Sequence, residues 1–204
     1  PENMTIDSDD EYSLAICFFD GLHKGHQTVI TKAIEKAKEL SIRSAVMTFD
    51  PHPSHVLGGG ENKIGYITPF KEKKRLLESM GVDAVFVVKF DMQLASLKPS
   101  EFVELFIKSI GAKHVTAGFD YSFGSKGAGT MEDMKMLSAG VYETTIVGKV
   151  TDNADKISST RIRKLLSEGN VEEASLLLGR NFRTIGTVVG GEKKGRQLGF
   201  PTAN

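Results

Sequence analysis

Two histidines three positions apart form the part of the sequence best suited to chemistry. His23 and His26 lie in the stretch Phe-Asp-Gly-Leu-His-Lys-Gly-His at residues 19–26. Imidazole groups can donate hydrogen bonds to phosphoryl oxygens as negative charge builds on them. Gly21 and Gly25 let the backbone approach an anion, because glycine has no Cβ atom. The stretch therefore predicts a phosphate site rather than two unrelated structural histidines.

The elements on either side of the histidines support this interpretation. Residues 13–19 are apolar and predict a strand, and apolar residues recur at helical spacing from Gly25 to Leu40. The N-terminus of a helix offers free N–H groups and a partial positive charge. A strand, a tight turn and a helix therefore place both histidines where an anion would bind.

Strand and helix patterns alternate along the chain. The predicted strands are residues 13–19, 44–49, 84–88, 114–117 and 141–147, and the predicted helices are 25–40, 68–81, 99–110, a short helix after a capping box at 130–133, 159–167 and 171–178. Repeated βα units predict an α/β fold with a doubly wound parallel sheet. Ligands of such sheets bind beyond the carboxyl ends of the strands. The charged run at 71–75 is interpreted as a solvated helix face.

A second polar motif begins the predicted helix at 159–167. Ser158, Ser159 and Thr160 can cap free N–H groups there and bind phosphate. Arg163 lies one turn further on and can reach the same end as a fixed cation. In isolation, an ordinary N-cap with a surface arginine explains this motif equally well. Together with the histidine stretch, phosphate binding becomes the better interpretation.

Two further loops follow predicted strands. Asp50-Pro51-His52-Pro53 contains two prolines that stiffen a loop, which suits a wall beside a planar ligand but also an ordinary turn. The stretch 118–124 reads Gly-Phe-Asp-Tyr-Ser-Phe-Gly. Its aromatic side chains can face a ring system, although an ordinary loop with a local aromatic cluster is equally consistent.

Composition excludes several classes of function. The chain has 204 residues and a formal net charge of +0, so no excess of positive charge favours nucleic acid or an anionic membrane. Cys17 is the single cysteine, which excludes an internal disulfide and suits a reducing cytoplasm. The sequence contains no run of about 20 apolar residues, no zinc-ligand spacing and no P-loop motif. We therefore expect a cytoplasmic protein without nucleic-acid or membrane partners, and the oligomeric state stays open.

Five motifs in this order make a more specific pattern. Phe-Asp-Gly-Leu-His-Lys-Gly-His, Thr-Phe-Asp-Pro-His-Pro, Gly-Phe-Asp-Tyr-Ser-Phe-Gly, Ile-Ser-Ser-Thr-Arg-Ile-Arg and Gly-Arg-Gln-Leu-Gly-Phe-Pro-Thr-Ala-Asn together resemble the bacterial bifunctional riboflavin kinase/FAD synthetase family. The histidine motif alone indicates only the nucleotidyltransferase superfamily. The resemblance covers essentially the whole chain and implies a Rossmann-like nucleotidyltransferase fold, followed by the start of a β-barrel.

The resemblance implies an FMN adenylyltransferase, which makes FAD and pyrophosphate from FMN and ATP with Mg²⁺. It assigns catalytic roles to His23, His26 and Arg163. The implied ATP-binding residues are Phe19, Asp20, Gly21, Gly25, Ser158, Ser159 and Thr160. The implied flavin-binding residues are Asp50, Pro51, His52, Pro53, Asp120 and Phe123. No side chain is expected to form a metal site, because Mg²⁺ would be held largely by phosphates and water.

The pattern changes after residue 179, where a stretch rich in β-branched residues at 184–189 follows the last predicted helix, so a domain boundary is expected near Asn181. The resemblance implies what lies on each side of it. Residues 1–180 are expected to form the FMN adenylyltransferase domain, and residues 181–204 the N-terminal fragment of a riboflavin kinase β-barrel. Residues 190–195 are expected to form a hairpin or a loop. Thr202 and Asn204 correspond to residues that help to hold MgATP in the kinase. Riboflavin kinase activity is not expected from these 204 residues alone.

Two alternatives stay open. One is adenylyl or cytidylyl transfer to another small phosphate ester, and the other is a non-catalytic flavin-nucleotide-binding protein. Cys17 stands where the family usually has glycine, so we expect its thiol either to crowd adenosine or to pack beneath it. Asp120 stands where relatives often have asparagine, and its role is open.

Overall fold

Five parallel strands form the central sheet of the computed structural model, which describes residues 10–58 and 65–187, together with 189 and 199. The strands are β1 (Tyr12–Ile16), β2 (Arg43–Asp50), β3 (Ala84–Lys89), β4 (Ala112–Gly118) and β5 (Glu143–Val147). Their order across the sheet is β3-β2-β1-β4-β5. The order reverses between β1 and β4, and their carboxyl ends diverge there to leave a crevice.

Helices cover both faces of this sheet, which confirms the predicted doubly wound α/β fold. On one face α1 (Lys24–Leu40) and α3 (Phe70–Ser79) bury Ile30 and Leu77. The other face is covered by α4 (Met92–Ser96), α5 (Pro99–Phe102), a π-helical segment (Val103–Lys108) and α6 (Met131–Leu137). Every residue of β1 is buried, as expected of a central strand with helices on both sides.

A third, smaller core lies beside the sheet. There α7 (Ser159–Ser167) packs against α8 (Val171–Leu178), and Ile162 and Leu177 are fully buried between them. A short antiparallel hairpin of β6 (Thr151–Asp152) and β7 (Asp155–Lys156) leads into α7. This arrangement brings the N-terminus of α7 to the carboxyl end of the parallel sheet.

The structure refines several predicted elements. Helices α7 and α8 have the predicted bounds, whereas the single helix predicted at 99–110 is divided into α5 and the π-helical segment. Helices α2 (Pro53–Leu57) and α4 and the β6–β7 hairpin were not predicted from the sequence. No strand forms in residues 178–187, and the hairpin or loop expected at 190–195 lies outside the described residues.

The interpretation of residues 71–75 as a solvated face is wrong for two of the five. Glu72 and Lys73 are buried. The Lys73 ammonium donates hydrogen bonds to Phe18 O (2.8 Å) and to Thr48 Oγ1 (3.2 Å), and burial lowers its pKa. Periodicity could not show this, because both acceptors lie on other elements. In the described part of the chain, no helix has the length and apolar character needed to cross a membrane.

Candidate active site

A cavity of about 610 Å³ opens at the carboxyl ends of β1 and β4. Of the predicted site residues, those that line it are His23, Gly25, His26, Pro53, Asp120, Phe123, Ser158, Ser159 and Thr160. Those that do not line it are Phe19, Asp20, Gly21, Asp50, Pro51, His52 and Arg163. Thr202 and Asn204 lie outside the described residues. Motifs more than 130 residues apart in sequence therefore share one cavity.

The two histidines stack against each other at the start of α1. Their ring centroids are 3.7 Å apart with an interplanar angle of 15°. His23 is the N-cap of α1, and its Nδ1 accepts a hydrogen bond from the backbone N–H of His26 (3.2 Å). Because Nδ1 is an acceptor, the proton of a neutral His23 ring sits on Nε2. His23 thus keeps one N–H donor for a ligand.

Burial makes both rings neutral near pH 7. It lowers the pKa of His23 to about 4 and holds the pKa of His26 well below its usual value. The neighbouring His23 ring lowers the pKa of His26 further, because two stacked imidazolium charges would repel each other. The pair therefore offers neutral hydrogen-bond donors rather than fixed positive charges.

The N-terminus of α7 faces the same cavity. Ser158 is its N-cap, and Ser158 Oγ accepts a hydrogen bond from Arg161 N (3.2 Å). Ser159 Oγ donates to Asp20 O (2.8 Å), which ties α7 to the loop after β1. The remaining free N–H groups of α7, with the Thr160 hydroxyl beside them, form a second anion-binding helix end. Two helix N-termini thus converge on one cavity.

The buried Asp20 carboxylate and the half-buried Arg163 form an ion pair behind the cavity. Arg163 Nη2 lies 2.5 Å from Asp20 Oδ2, and Arg163 Nε donates to Gly65 O (3.0 Å). Asp20 Oδ1 also accepts from Ile67 N (3.1 Å) and Thr68 N (3.0 Å). Arg163 is therefore engaged in supporting the loop. A direct contact of Arg163 with phosphate stays a prediction, and it would require this ion pair to open.

The turn before the histidines has its own supports. Arg180 donates to Gly21 O (2.7 Å) and Leu22 O (3.1 Å). Gly21 has a φ of +82°, and a Cβ there would lie 3.2 Å from Ile67 Cδ1, so the turn needs glycine. Phe19 is fully buried, with its ring edge-on to His26 at 5.3 Å. Phe19 and Gly21 therefore shape the histidine turn from outside the cavity.

The opposite end of the cavity is apolar. Phe123 packs against Phe102, with ring centroids 5.5 Å apart, and Phe49 lies 6.4 Å from Phe102. Leu94 on α4 completes this wall. Sequence reasoning identified only Phe123 here. Phe102 lies on the apolar face of the helix predicted at 99–110. An apolar face alone does not show whether a side chain packs in the core or lines a ligand cavity.

The loop at 50–53 is divided between two surroundings. Pro53 lines the cavity, whereas His52 contacts Phe18 edge-on, with centroids 4.3 Å apart. The backbone N–H of His52 donates to Tyr66 Oη (2.9 Å), and the Asp50–Pro51 peptide bond is cis. Direct flavin contact by Asp50, Pro51 and His52 stays a prediction, because only Pro53 reaches the cavity in this structure.

Two further residues line the cavity: Lys156, which the sequence analysis did not single out, and Cys17, whose thiol was expected to crowd adenosine or to pack beneath it. Lys156, on β7, forms an ion pair with Asp120, and its Nζ lies 5.0 Å from the centroid of the Phe119 ring. Cys17 lines the cavity with its Sγ 3.8 Å from His26 Nε2. Burial raises the pKa of the Cys17 thiol, so it stays protonated. Cys17 lies beside the histidine pair as a neutral neighbour.

A parallel sheet in the order 3-2-1-4-5, with a ligand-sized cavity at the reversal of strand order, defines a Rossmann-like α/β protein. The family model of FAD synthetase matches residues 5–161, and that of riboflavin kinase matches residues 178–204. The chain belongs to the FAD synthetase family. This confirms the resemblance that the five motifs carried.

Curated relatives carry the names of both activities. A bifunctional riboflavin kinase/FMN adenylyltransferase from Listeria monocytogenes is 47% identical over 191 residues, which are 94% of this chain and 61% of that protein. The protein of the same name from Bacillus subtilis is 42% identical over 204 residues, which are 100% of this chain and 65% of that protein. The chain thus spans less than two thirds of the length of these relatives.

A solved structure has the same fold. The crystal structure described as a macrolide-efflux protein from Streptococcus pneumoniae superposes with a TM-score of 0.86 at 38% identity, covering 98% of this chain and 65% of that one. The likeness supports the Rossmann-like topology of the five-stranded sheet.

Proposed function

We propose that this protein is an FMN adenylyltransferase that transfers the AMP group of ATP to FMN and releases pyrophosphate. The FAD synthetase family match supports this reaction, and so do the names of the two relatives. The single observation that carries the proposal is the stacked, neutral pair His23–His26, placed between a second helix N-terminus and an apolar aromatic wall. One end of the cavity suits phosphates and the other suits a planar ring.

The reaction joins two phosphates. An FMN phosphate oxygen would attack the α-phosphorus of ATP, forming one P–O bond while the bond to pyrophosphate breaks. A phosphate monoester is already anionic at neutral pH, so no protein base is needed. Catalysis would consist of positioning and charge stabilisation. His23 Nε2–H and His26 would donate to oxygens on which negative charge increases.

The α7 terminus would hold the departing pyrophosphate. Its free N–H groups and the Thr160 hydroxyl suit this role, whereas the Ser159 hydroxyl would have to leave Asp20 O before it could donate to a phosphate. The Asp20–Arg163 pair would keep α7 at a fixed distance from the histidine turn. At the other end, Phe123, Phe102 and Pro53 would contact the flavin ring.

Magnesium, when bound, would neutralise phosphate charge. Among the described residues, no group of three or more His, Cys, Asp or Glu side chains could hold a metal ion. Asp20 is already occupied by Arg163 and by two backbone N–H groups. The ion would therefore be held by phosphate oxygens and water, which fits the preference of Mg²⁺ for few protein ligands. No step of the reaction is attributed to the ion.

The chain is proposed to contain one domain and part of a second. Residues 1–180 would form the adenylyltransferase domain, and residues 181–204 would belong to a riboflavin kinase module, as the second family match suggests. We propose a cytoplasmic enzyme that acts on ATP and FMN, without nucleic-acid or membrane partners. The riboflavin kinase match covers residues 178–204, and riboflavin phosphorylation by these 204 residues alone is not part of the proposal.

The test mixes the protein with FMN and MgATP and separates the products by chromatography. Equal amounts of FAD and pyrophosphate are expected. Pantetheine phosphate and nicotinamide mononucleotide serve as competing acceptors, and faster adenylylation of either would replace FMN as the substrate. Flavin binding without any FAD would instead indicate a non-catalytic flavin-binding protein. A parallel reaction with riboflavin should yield no FMN.

A further inference from the structure

One cation of the cavity is paired with a side chain of the protein itself. Among the described lining residues there are two lysines, Lys126 and Lys156, and no arginine. Lys156 Nζ forms an ion pair with Asp120. Asp120 belongs to the loop after β4, whereas Lys156 precedes the N-cap of α7 by two residues. The pair therefore joins the aromatic side of the cavity to its phosphate side.

The position of Lys156 is fixed by the backbone. Lys156 pairs with Thr151 in the β6–β7 hairpin, and Ile157 N donates to Val150 O (3.0 Å). Arg161 on α7 binds Asp152 of the same hairpin (3.2 Å). The lysine backbone is thus anchored to the helix whose N-terminus faces the cavity, while its side chain can still change partner.

The two lysines lie at different ends of the cavity. The positive charge of Lys156 is among the causes that lower the pKa values of both His23 and His26, so its field reaches the histidine pair. Lys126 lies beside the end of α4, because the adjacent Ser125 N donates to Leu97 O (2.6 Å). Lys156 is therefore the lysine at the phosphate end.

The ion pair is weak enough to exchange. The Lys156 side chain is 37% exposed and the Asp120 side chain 54% exposed, so water competes with both partners. A phosphate oxygen carries a similar charge to the carboxylate, and a bound nucleotide offers several such oxygens to one ammonium. The lysine can therefore transfer to a phosphate at little cost.

We propose that Lys156 binds the nucleotide phosphates beside the histidine pair, and that Asp120 holds this lysine in the ligand-free protein as an internal competitor. This inference rests on the proposed function for the identity of the nucleotide. It assigns Lys156 to the place where the phosphates of ATP and FMN must meet. Asp120 then acts by lowering the affinity for phosphate rather than by contacting the flavin.

Equilibrium binding of ATP, with Mg²⁺ and without flavin, tests the exchange. K156Q should weaken ATP binding by roughly 10-fold or more, the scale of a lost hydrogen bond to a charged group, and K156R should restore most of it. D120N should tighten binding by about 1.5- to 5-fold, because an exposed ion pair no longer competes. K149Q is the matched control, since Lys149 is exposed, is close in sequence and does not line the cavity.

The double variant D120N/K156Q decides between exchange and a simple charge effect. If Asp120 acts only through Lys156, the tightening by D120N disappears in the K156Q background. Tightening that persists there would overturn the proposal, and so would ATP binding by K156Q equal to that of K149Q. Circular dichroism and a urea titration would verify that each variant is folded. The FAD assay on the unmodified chain separately tests the proposed function, and its failure would leave the ATP-binding result interpretable.

Discussion

The dipeptide Phe-Asp stands at the carboxyl ends of four strands of the sheet, and two of these places, after the neighbouring strands β1 and β4, have very different surroundings. After β1, Phe19 and Asp20 are 0% and 1% exposed. After β4, Phe119 is 49% exposed and Asp120 is also exposed. Asp20 binds an arginine and two backbone N–H groups, whereas Asp120 binds one exposed lysine. Identical residue types thus make a fixed support in one loop and an exchangeable contact in the other.

The backbone reinforces this difference. Phe19 has a φ of +54°, in the left-handed region that residues other than glycine rarely occupy. The turn after it is held by Arg163 on α7 and by Arg180 after α8. The loop after β4 has one backbone bond to β5, from Phe119 N to Val147 O (2.9 Å), and short-range bonds such as Tyr121 N to Gly118 O (3.0 Å). A site that stabilises a transition state needs the first kind of loop, and a site that admits a ring can use the second.

The largest expected effect removes the buried partner. D20A should lower the free energy of unfolding by about 3–5 kcal/mol, because Arg163 and two buried backbone N–H groups all lose their acceptor. D120A, the same change in the matching dipeptide, should cost under about 1 kcal/mol. Urea titrations of both variants measure this contrast. Equal losses would show that the two loops do not differ as described.

The next effect concerns the histidines that the rigid loop presents. H26A should lower kcat by about 100-fold, the scale of one lost donor to a developing charge. H23N should lower kcat similarly while keeping α1 stable, because asparagine is also a good N-cap residue. FAD formation at saturating substrate gives kcat, and urea titration checks stability. Normal turnover by either variant would remove that histidine from the proposed mechanism.

The smallest effect is the share of a single histidine in the pH dependence of stability, about 1.4 kcal/mol per pH unit. Burial lowers the pKa values of His23, His26 and His114, with that of His23 at about 4. Below pH 6.5, the ordinary value of an unfolded histidine, the unfolded chain binds protons that the folded chain does not. As the pH decreases from 6.5 towards the folded pKa of each such histidine, the free energy of unfolding should therefore fall by about 1.4 kcal/mol per pH unit for that histidine.

Urea titrations at several pH values from 7.5 to 4.5 measure this slope. H23N should reduce it by the share of one histidine. A slope that H23N leaves unchanged would mean that His23 is protonated in the folded protein near pH 6.5.

The pattern of strands and helices could be predicted from the sequence, and contacts between distant residues could not. Apolar spacing located α7 and α8 residue by residue, because each buries one regular face. The motifs located nine lining residues, because ligand-binding loops follow the carboxyl ends of parallel strands. The partner of Arg163 lies 143 residues away, and nothing local distinguishes an arginine that meets phosphate from one that meets Asp20.

Helix α4 and the β6–β7 hairpin were not predicted because they are short. Helix α4 has five residues, and each strand of the β6–β7 hairpin has two, so none shows a full period of apolar spacing. Leu94 and Lys156 lie in these elements, and both line the cavity. The burial of Lys73 was missed because lysine within a charged run usually faces water.

Arg180 determines how long a fragment of the chain must be to keep the shape of the histidine turn. The two family models leave residues 162–177 between them, and the second begins at residue 178. Arg180 falls within that second match, yet its guanidinium holds the carbonyls of the histidine turn, and Gln27 of α1 donates to Leu178 O (2.8 Å). A fragment that ended before residue 180 would contain the histidine motif and the start of α7. It would lack the arginine whose hydrogen bonds hold the histidine turn. A fragment meant to keep the histidine turn in this shape should therefore extend through Arg180.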